Sequence, residues 1–252
     1  MTAERTPPGR GYRGFVIGLT RATGLLGIAQ AAAATRDAID VVLRQRAVQT
    51  GAVALARESV DRGAAASARL EGADPALAES PEVLAALRVT EAAAGLASLW
   101  RTAPLQVLAR LHLLAAADLA ADDVLGRPRD ATAARRLRAT MLEVARVAAP
   151  GSSVPALVVA AVVHAEAAEA FAPMGGLVGR AAERVVLVAT GVDPTGVLVP
   201  EQGHLADQPG YLDDRARLLT GTDVAVATWV ERCARAYTAA AEVTATMVAN
   251  PR

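Results

Sequence analysis

What limits this chain most is alanine and leucine repeated at helical spacing through nearly its whole length. AQAAAATRDAIDVVL, AVALARESVDRGAAASARL and ALVVAAVVHAEAAEA are three such runs. Ala and Leu lose little side-chain freedom in a helix, and no segment shows the sustained period-2 alternation of a half-buried strand. The expected fold class is therefore all-α, a helical bundle, with TGVLVP at 195–200 as a short extended piece at most. Only 3% of residues are aromatic while 53% are hydrophobic, so the core has to be built from Ala, Leu and Val.

The formal charge is zero, with 26 basic and 26 acidic residues, so there is no basic surplus to neutralise a phosphate backbone and nucleic acid is not expected as a partner. All the basic residues are Arg, with no Lys, which together with the Ala/Gly/Val bias suggests a GC-rich bacterial source. The single Cys233 excludes an internal disulfide and a cysteine-based zinc cage. His112, His164 and His204 lie far apart in sequence, and no metal site is expected. The apolar stretch 14–34 is interrupted by Arg21 and leads into an amphipathic helix around 37–46. It reads as a helix packed on the domain in place of a secretory signal or a membrane span, giving a cytoplasmic protein with no membrane partner.

Punctuating residues divide the chain. Residues 1–13 read as a disordered Pro/Gly/Arg-rich tail, 14–100 as an N-terminal helical region and 101–250 as the core domain. A helix near 49–70 stops at Gly72, and Ser80-Pro81-Glu82 opens the next with a cap, a first-turn proline and an acid. Pro104 starts another, on which Leu105, Leu108, Leu111 and His112 share a face, and 129–149 is a further helix with Arg135, Arg136 and Arg138 mostly outward. Ser152 and Ser153 cap the most apolar helix, about 154–171, whose Leu157, Ala161, His164, Ala168 and Phe171 form one buried stripe. Pro194–Pro209 reads as the one long loop, with His204 as the exposed histidine beside Glu201 and Asp207. The last helix begins near Thr222-Asp223, with Val226, Trp229, Val230, Cys233 and Tyr237 on its apolar face.

No GxGxxG follows a strand, no HExxH or GxSxG is present, and a P-loop would need a Lys. The remaining feature is Phe171–Arg184, FAPMGGLVGRAAER. Gly175 and Gly176 before a helix start leave N–H groups for an anion, and Arg180 and Arg184, four apart, could hold further phosphate oxygens. The same residues also fit a tight helix–helix corner with paired arginines, and the spacing leaves both readings open.

Four segments, in order, resemble the Fic/Doc (Fido) family. Ser67–Gly72 (SARLEG) is similar to the S/T-x-x-x-E-G/N inhibitory motif. Leu111-His112 followed by Gly126–Arg129 (GRPR) is similar to the family's Leu/Ile-His helix and Gly-x-x-Arg. Phe171–Arg180 stands in the place of the H-P-F-x-D/E-G-N-G-R-x-x-R signature, and Gly221–Cys233 loosely resembles the G-D-x-x-x-W helix. The resemblance spans residues 60–240 and implies a Fic-like core with an N-terminal inhibitory-type helix.

Placed on Phe171, the signature matches Gly176 and Arg180, the family's last Gly and second Arg. Glu169 then stands where the catalytic His belongs, Pro173 replaces the metal-binding carboxylate, Gly175 the Asn, and Leu177 the first, phosphate-binding Arg. Shifting the register to Gly179-Arg180 puts Ala172 at the His position, so neither register restores a histidine. Family members transfer AMP from ATP to a hydroxyl with that His as general base, a contribution of roughly 10²–10⁴-fold. The lost Arg and carboxylate would have stabilised the charge of the transferring phosphate. Arg129 is followed at once by helical sequence, so the family's β-hairpin flap, which docks target segments, is absent from the pattern.

The resemblance further implies that Glu71 and Arg180 form an ion pair tying the N-terminal helix to the signature helix, with Ser67 and Gly72 completing the inhibitory-type motif. Gly175, Gly176, Arg180 and Arg184 are the candidate ligand or phosphate contacts, with ATP or another nucleotide as the ligand class and no cofactor assigned. The leading expectation is a catalytically inactive Fido-fold protein that binds or regulates an unnamed protein partner. Its rivals are a divergent nucleotidyl or phosphoryl transferase using Glu169 or His164 as base, and a structural protein that forms a homodimer through Ala-rich faces.

Overall fold

A computed structural model describes residues 17–148 and 152–250, and the expected tail at 1–13 lies outside them. The described residues form helices and connecting turns with no strand. The TGVLVP segment does not pair either. The Asp193 carboxylate accepts the backbone N–H groups of Val197 and Leu198 at 3.0 and 2.9 Å, while their carbonyls accept from Thr244 and Ser59.

Helices α1 (Leu19–Thr23) and α2 (Ile28–Leu43) share the apolar N-terminal stretch, broken at Gly27, whose φ is +82°. Leu19, Ala22 and Ile28 are fully buried, so this stretch packs on the body as expected. Helix α3 (Arg46–Leu70) begins a little earlier than its spacing suggests, and Gly72 ends its last turn at φ +85°. Helix α4 (Pro81–Trp100) opens with the Ser80 hydroxyl accepting the Val83 N–H at 3.3 Å. Among the described residues it is the one helix long and apolar enough to cross a membrane by length and composition. It nevertheless lies against α3 and two later helices, with Ala85, Val89 and Ala93 fully buried.

Helix α5 (Pro104–Ala116) buries Leu108, Leu111 and His112, but Leu105 stays largely outside. In α6 (Ala131–Val147), Asp130 caps the start by accepting the Ala133 N–H at 2.7 Å. Arg136 departs from the outward set, because it turns in and pairs with buried Glu166 at 2.9 Å.

Helix α7 (Ala156–Ala170) is the axis of the fold. It starts after Pro155 and not at a serine cap; Ser152 instead accepts the Val154 N–H. The expected stripe is also too narrow, since nearly every side chain of α7 is buried. A helix apolar all round is a core helix, and α7 has partners on every side, α8 (Gly175–Ala189) the most intimate.

The segment expected to be one long loop contains α9 (Pro200–Leu205), and α10 (Gln208–Leu218) follows. Pro200 and Pro209 sit in first turns, where a missing N–H costs nothing, so the prolines that suggested a loop in fact start helices. Helix α9 is wedged between α3 and α11 (Asp223–Ala249). The Thr222 hydroxyl caps α11, and the Trp229 indole N–H, fully buried, donates to the Ala161 carbonyl at 2.8 Å. One core runs from Ile17 to Met247.

Candidate functional site

The turn between α7 and α8 is shaped by what cannot fit there. Phe171 ends α7 in an extended conformation, and Met174 precedes α8 in the left-handed region at φ +64°. A Cβ on Gly175 would collide with the Ala168 carbonyl, and one on Gly176 would lie 2.5 Å from Glu71 Oε1 and 2.7 Å from Arg215 Nη1. Both glycines therefore serve the tight corner. The Glu71 carboxylate reaches the start of α8, where the helix dipole favours negative charge. Of the two readings open at that turn, the corner is present, with the Glu71 carboxylate beside Gly176.

Arg180, one turn into α8, is buried at 1% exposure. Its Nε donates to Ser67 Oγ at 2.9 Å and Nη1 to Tyr211 Oη at 3.1 Å. Nη2 donates to the Ser67 carbonyl at 3.2 Å and to Glu71 Oε1 at 2.7 Å. Burial opposes the charge, but Tyr211 and Glu71 outweigh it and leave the guanidinium pKa above its ordinary value. Gly72 closes the turn after Glu71.

Arg184 is also buried and forms a fork with Glu201, Nε to Oε1 at 3.0 Å and Nη2 to Oε2 at 2.7 Å, while Nη1 donates to Ser59 Oγ at 2.9 Å. It faces the interior and not a ligand, so its assignment as a phosphate contact is corrected. The reason is Glu201, which sits in the segment read as an exposed loop but is carried inward by α9. His204, expected in solvent, is likewise 1% exposed.

Between the two arginines lies a polar cluster. Glu183 accepts Tyr237 Oη–H at 2.6 Å, and its carboxylate oxygens lie 3.0 Å from His204 Nε2 and 3.1 Å from His164 Nδ1. His164 Nε2 meets Tyr211 Oη at 2.9 Å, and Tyr211 links this cluster to Arg180. Burial brings the His164 pKa down to about 4 against the pull of Glu183, so the imidazole is neutral at pH 7. Burial alone would raise the Glu183 carboxyl, but His204 and His164 outweigh it and hold it below the usual carboxylate range. Burial pushes the Cys233 thiol and the Tyr237 hydroxyl up. His164 Nδ1 and His204 Nδ1 are buried without a hydrogen-bond partner. One donor atom from each of His164, Glu183, His204 and Cys233 lies within 4.8 Å of the others, so histidines distant in sequence meet here with the one cysteine, in a set able to hold a metal ion.

Glu169, on the last turn of α7, is mostly buried with Oε2 3.6 Å from Arg129 Nη2, and the Arg129 N–H donates to the Ala170 carbonyl at 2.8 Å. His112 Nδ1 accepts the Gly126 N–H at 3.1 Å and its ring lies 4.9 Å from that of Phe171, so this histidine joins α5 to the turn before α6 and to the end of α7. The segments quoted for the resemblance are thus neighbours in space. Sequence reasoning gave no role to Ser59, Glu201, Tyr211 or Tyr237, and it offered Glu183 as a partner of the arginines, whereas Glu183 meets His164, His204 and Tyr237. One signal was available for Glu183, which lies on the same buried helix as Arg180 and Arg184, among otherwise uncharged residues.

No family model matches the sequence, and no curated protein matches it. A search of solved structures finds the crystal structure of a Fic family protein from Desulfovibrio desulfuricans G20, with a TM-score of 0.67 and 19% identity, covering 89% of this chain and 76% of that one. At this identity the likeness is one of architecture, and it agrees with the all-helical fold. The fold of this chain is the Fic fold.

Proposed function

We propose that this Fic-fold chain does not transfer AMP and acts as a binding or regulatory protein, with Glu71 closing the place where a nucleotide phosphate would sit. The observation that carries this is the commitment of Arg180, whose guanidinium is buried and bonded to Ser67, Tyr211 and Glu71. Leu177, at the position of the phosphate-binding Arg in the resemblance, is buried at 1% exposure and offers no donor. A transferring phosphate depends chiefly on preorganised positive charge; Leu177 and Arg180 supply none at this turn, and Arg215, whose Nη1 lies beside Gly176, shares the place with the Glu71 carboxylate. The bases of the rival transferase are poorly disposed. His164 is buried behind Tyr211, and Glu169, 3.6 Å from Arg129, would add negative charge near a triphosphate.

The test is incubation of wild type and Glu71→Gly with magnesium and ATP labelled on the α-phosphate, followed by intact mass and gel autoradiography. The expectation is no AMP adduct on the chain or on added hydroxyl acceptors for either protein. Labelling that emerges in Glu71→Gly would establish the divergent transferase instead.

A further inference from the structure

We propose that His164, Glu183, His204 and Cys233 form a closed structural site for one zinc-type divalent ion, stapling α7, α8, α9 and α11 together. These four residues lie on the far side of Tyr211 from Glu71, apart from the place of any nucleotide.

The donor set comes first. Two imidazoles, one carboxylate and one thiol are supplied by four different helices, and one ligand atom of each lies within 4.8 Å of all the others. A tetrahedral ion at bond lengths of about 2.0–2.3 Å needs ligand atoms about 3.3–3.8 Å apart, so a modest contraction of the cluster brings all four to it. Mixed nitrogen, sulfur and oxygen donors suit zinc over magnesium or calcium, which take oxygen.

The second observation is an orphan. His164 Nδ1 is fully buried and faces Glu183 at 3.1 Å, yet it makes no hydrogen bond. Its other nitrogen meets Tyr211 Oη at 2.9 Å, the arrangement in which an outer partner fixes the ring and leaves the inner nitrogen as a ligand. Glu183 Oε1 accepts from Tyr237 at 2.6 Å, a comparable outer contact on the carboxylate.

Charge completes the case. Glu183 has no solvent exposure and no guanidinium partner among its contacts, because Arg180 pairs with Glu71 and Arg184 with Glu201. The partners of this buried carboxylate are the two histidines, whose ring nitrogens a divalent ion would share with it. A divalent ion bound to Glu183 and the Cys233 thiolate gives a neutral site, the thiol proton leaving to solvent as the ion enters. Four protein ligands and full burial leave no open coordination position, so the role is structural and the ion enters during folding.

The experiment uses the full chain, denatured with a chelator, desalted and refolded with Zn²⁺, with Co²⁺ or with neither. Metal content and the cobalt absorption spectrum are then read. The site predicts one ion per chain, a higher melting temperature with Zn²⁺ than without, and a tetrahedral cobalt spectrum with a thiolate charge-transfer band that is lost in Cys233→Ser. Less than stoichiometric uptake by the wild type overturns it, as does a cobalt spectrum that Cys233→Ser leaves unchanged. Because the wild-type chain is read with and without metal, a failure of the variant to fold leaves the proposal exposed to the first result.

Discussion

Arg180 and Arg184 stand one turn apart on α8, and each is bonded to a serine of α3 and to a glutamate from elsewhere. They differ in where the glutamate sits. Glu201 is carried into the interior on α9 with its side chain 2% exposed, whereas Glu71 lies just past the end of α3 with 19% exposed and only one oxygen on the guanidinium. The same chemistry thus gives a closed brace at Arg184 and an edge contact at Arg180. A pair that water can reach is the one that can open at modest cost, which places any ligand-responsive behaviour of α8 at its N-terminal end.

The largest expected effect separates the two arginines at once. Glu201→Ala leaves the Arg184 guanidinium buried without its fork, at a cost of about 3–5 kcal/mol, or roughly 10 °C in melting temperature. Chemical denaturation of the variant reads this directly, and a loss under 1 kcal/mol would erase the distinction. Glu71→Ala removes a pair that solvent can partly replace, and the expected loss is about 1–2 kcal/mol. Should Glu71→Ala cost as much as Glu201→Ala, the edge contact is as closed as the interior one. The smallest expected effects per bond lost come from the serines. Ser67→Ala deletes one hydroxyl acceptor and Ser59→Ala deletes an acceptor and the hydroxyl's donation to the Leu198 carbonyl at 2.6 Å, at about 1 kcal/mol for each bond lost, while the carbonyl of the same residue stays in place. Amide exchange in α8 sharpens the comparison, because Ser67→Ala should raise exchange near Arg180 and leave the Arg184 turn unchanged.

The same two arginines show how far the residues could be read without coordinates. Helical spacing and alanine content led to the all-α class, because local propensity decides it. The motif order put Glu71 with Arg180, and the structure brings them to 2.7 Å. Arg184 was misplaced because a 3.6-residue period reports which side chains share a face and not what that face meets. Its partner depended on Pro200 starting a helix, and a polar segment rich in Pro and Gly carries no local signal for burial. The His164–Glu183–His204–Cys233 cluster escaped notice for a related reason. Its members are scattered over 70 residues and converge only when α9 folds back between α3 and α11.

The commitment of Arg180 to Glu71 is tested most directly by calorimetric titration of magnesium-ATP into the wild-type chain and into Glu71→Gly. If the guanidinium is held by the interior and Leu177 supplies no replacement charge, neither protein releases or absorbs binding heat at millimolar nucleotide. Saturable, magnesium-dependent binding that appears or tightens when Glu71 is removed would contradict this and make Glu71 the plug of a working nucleotide site.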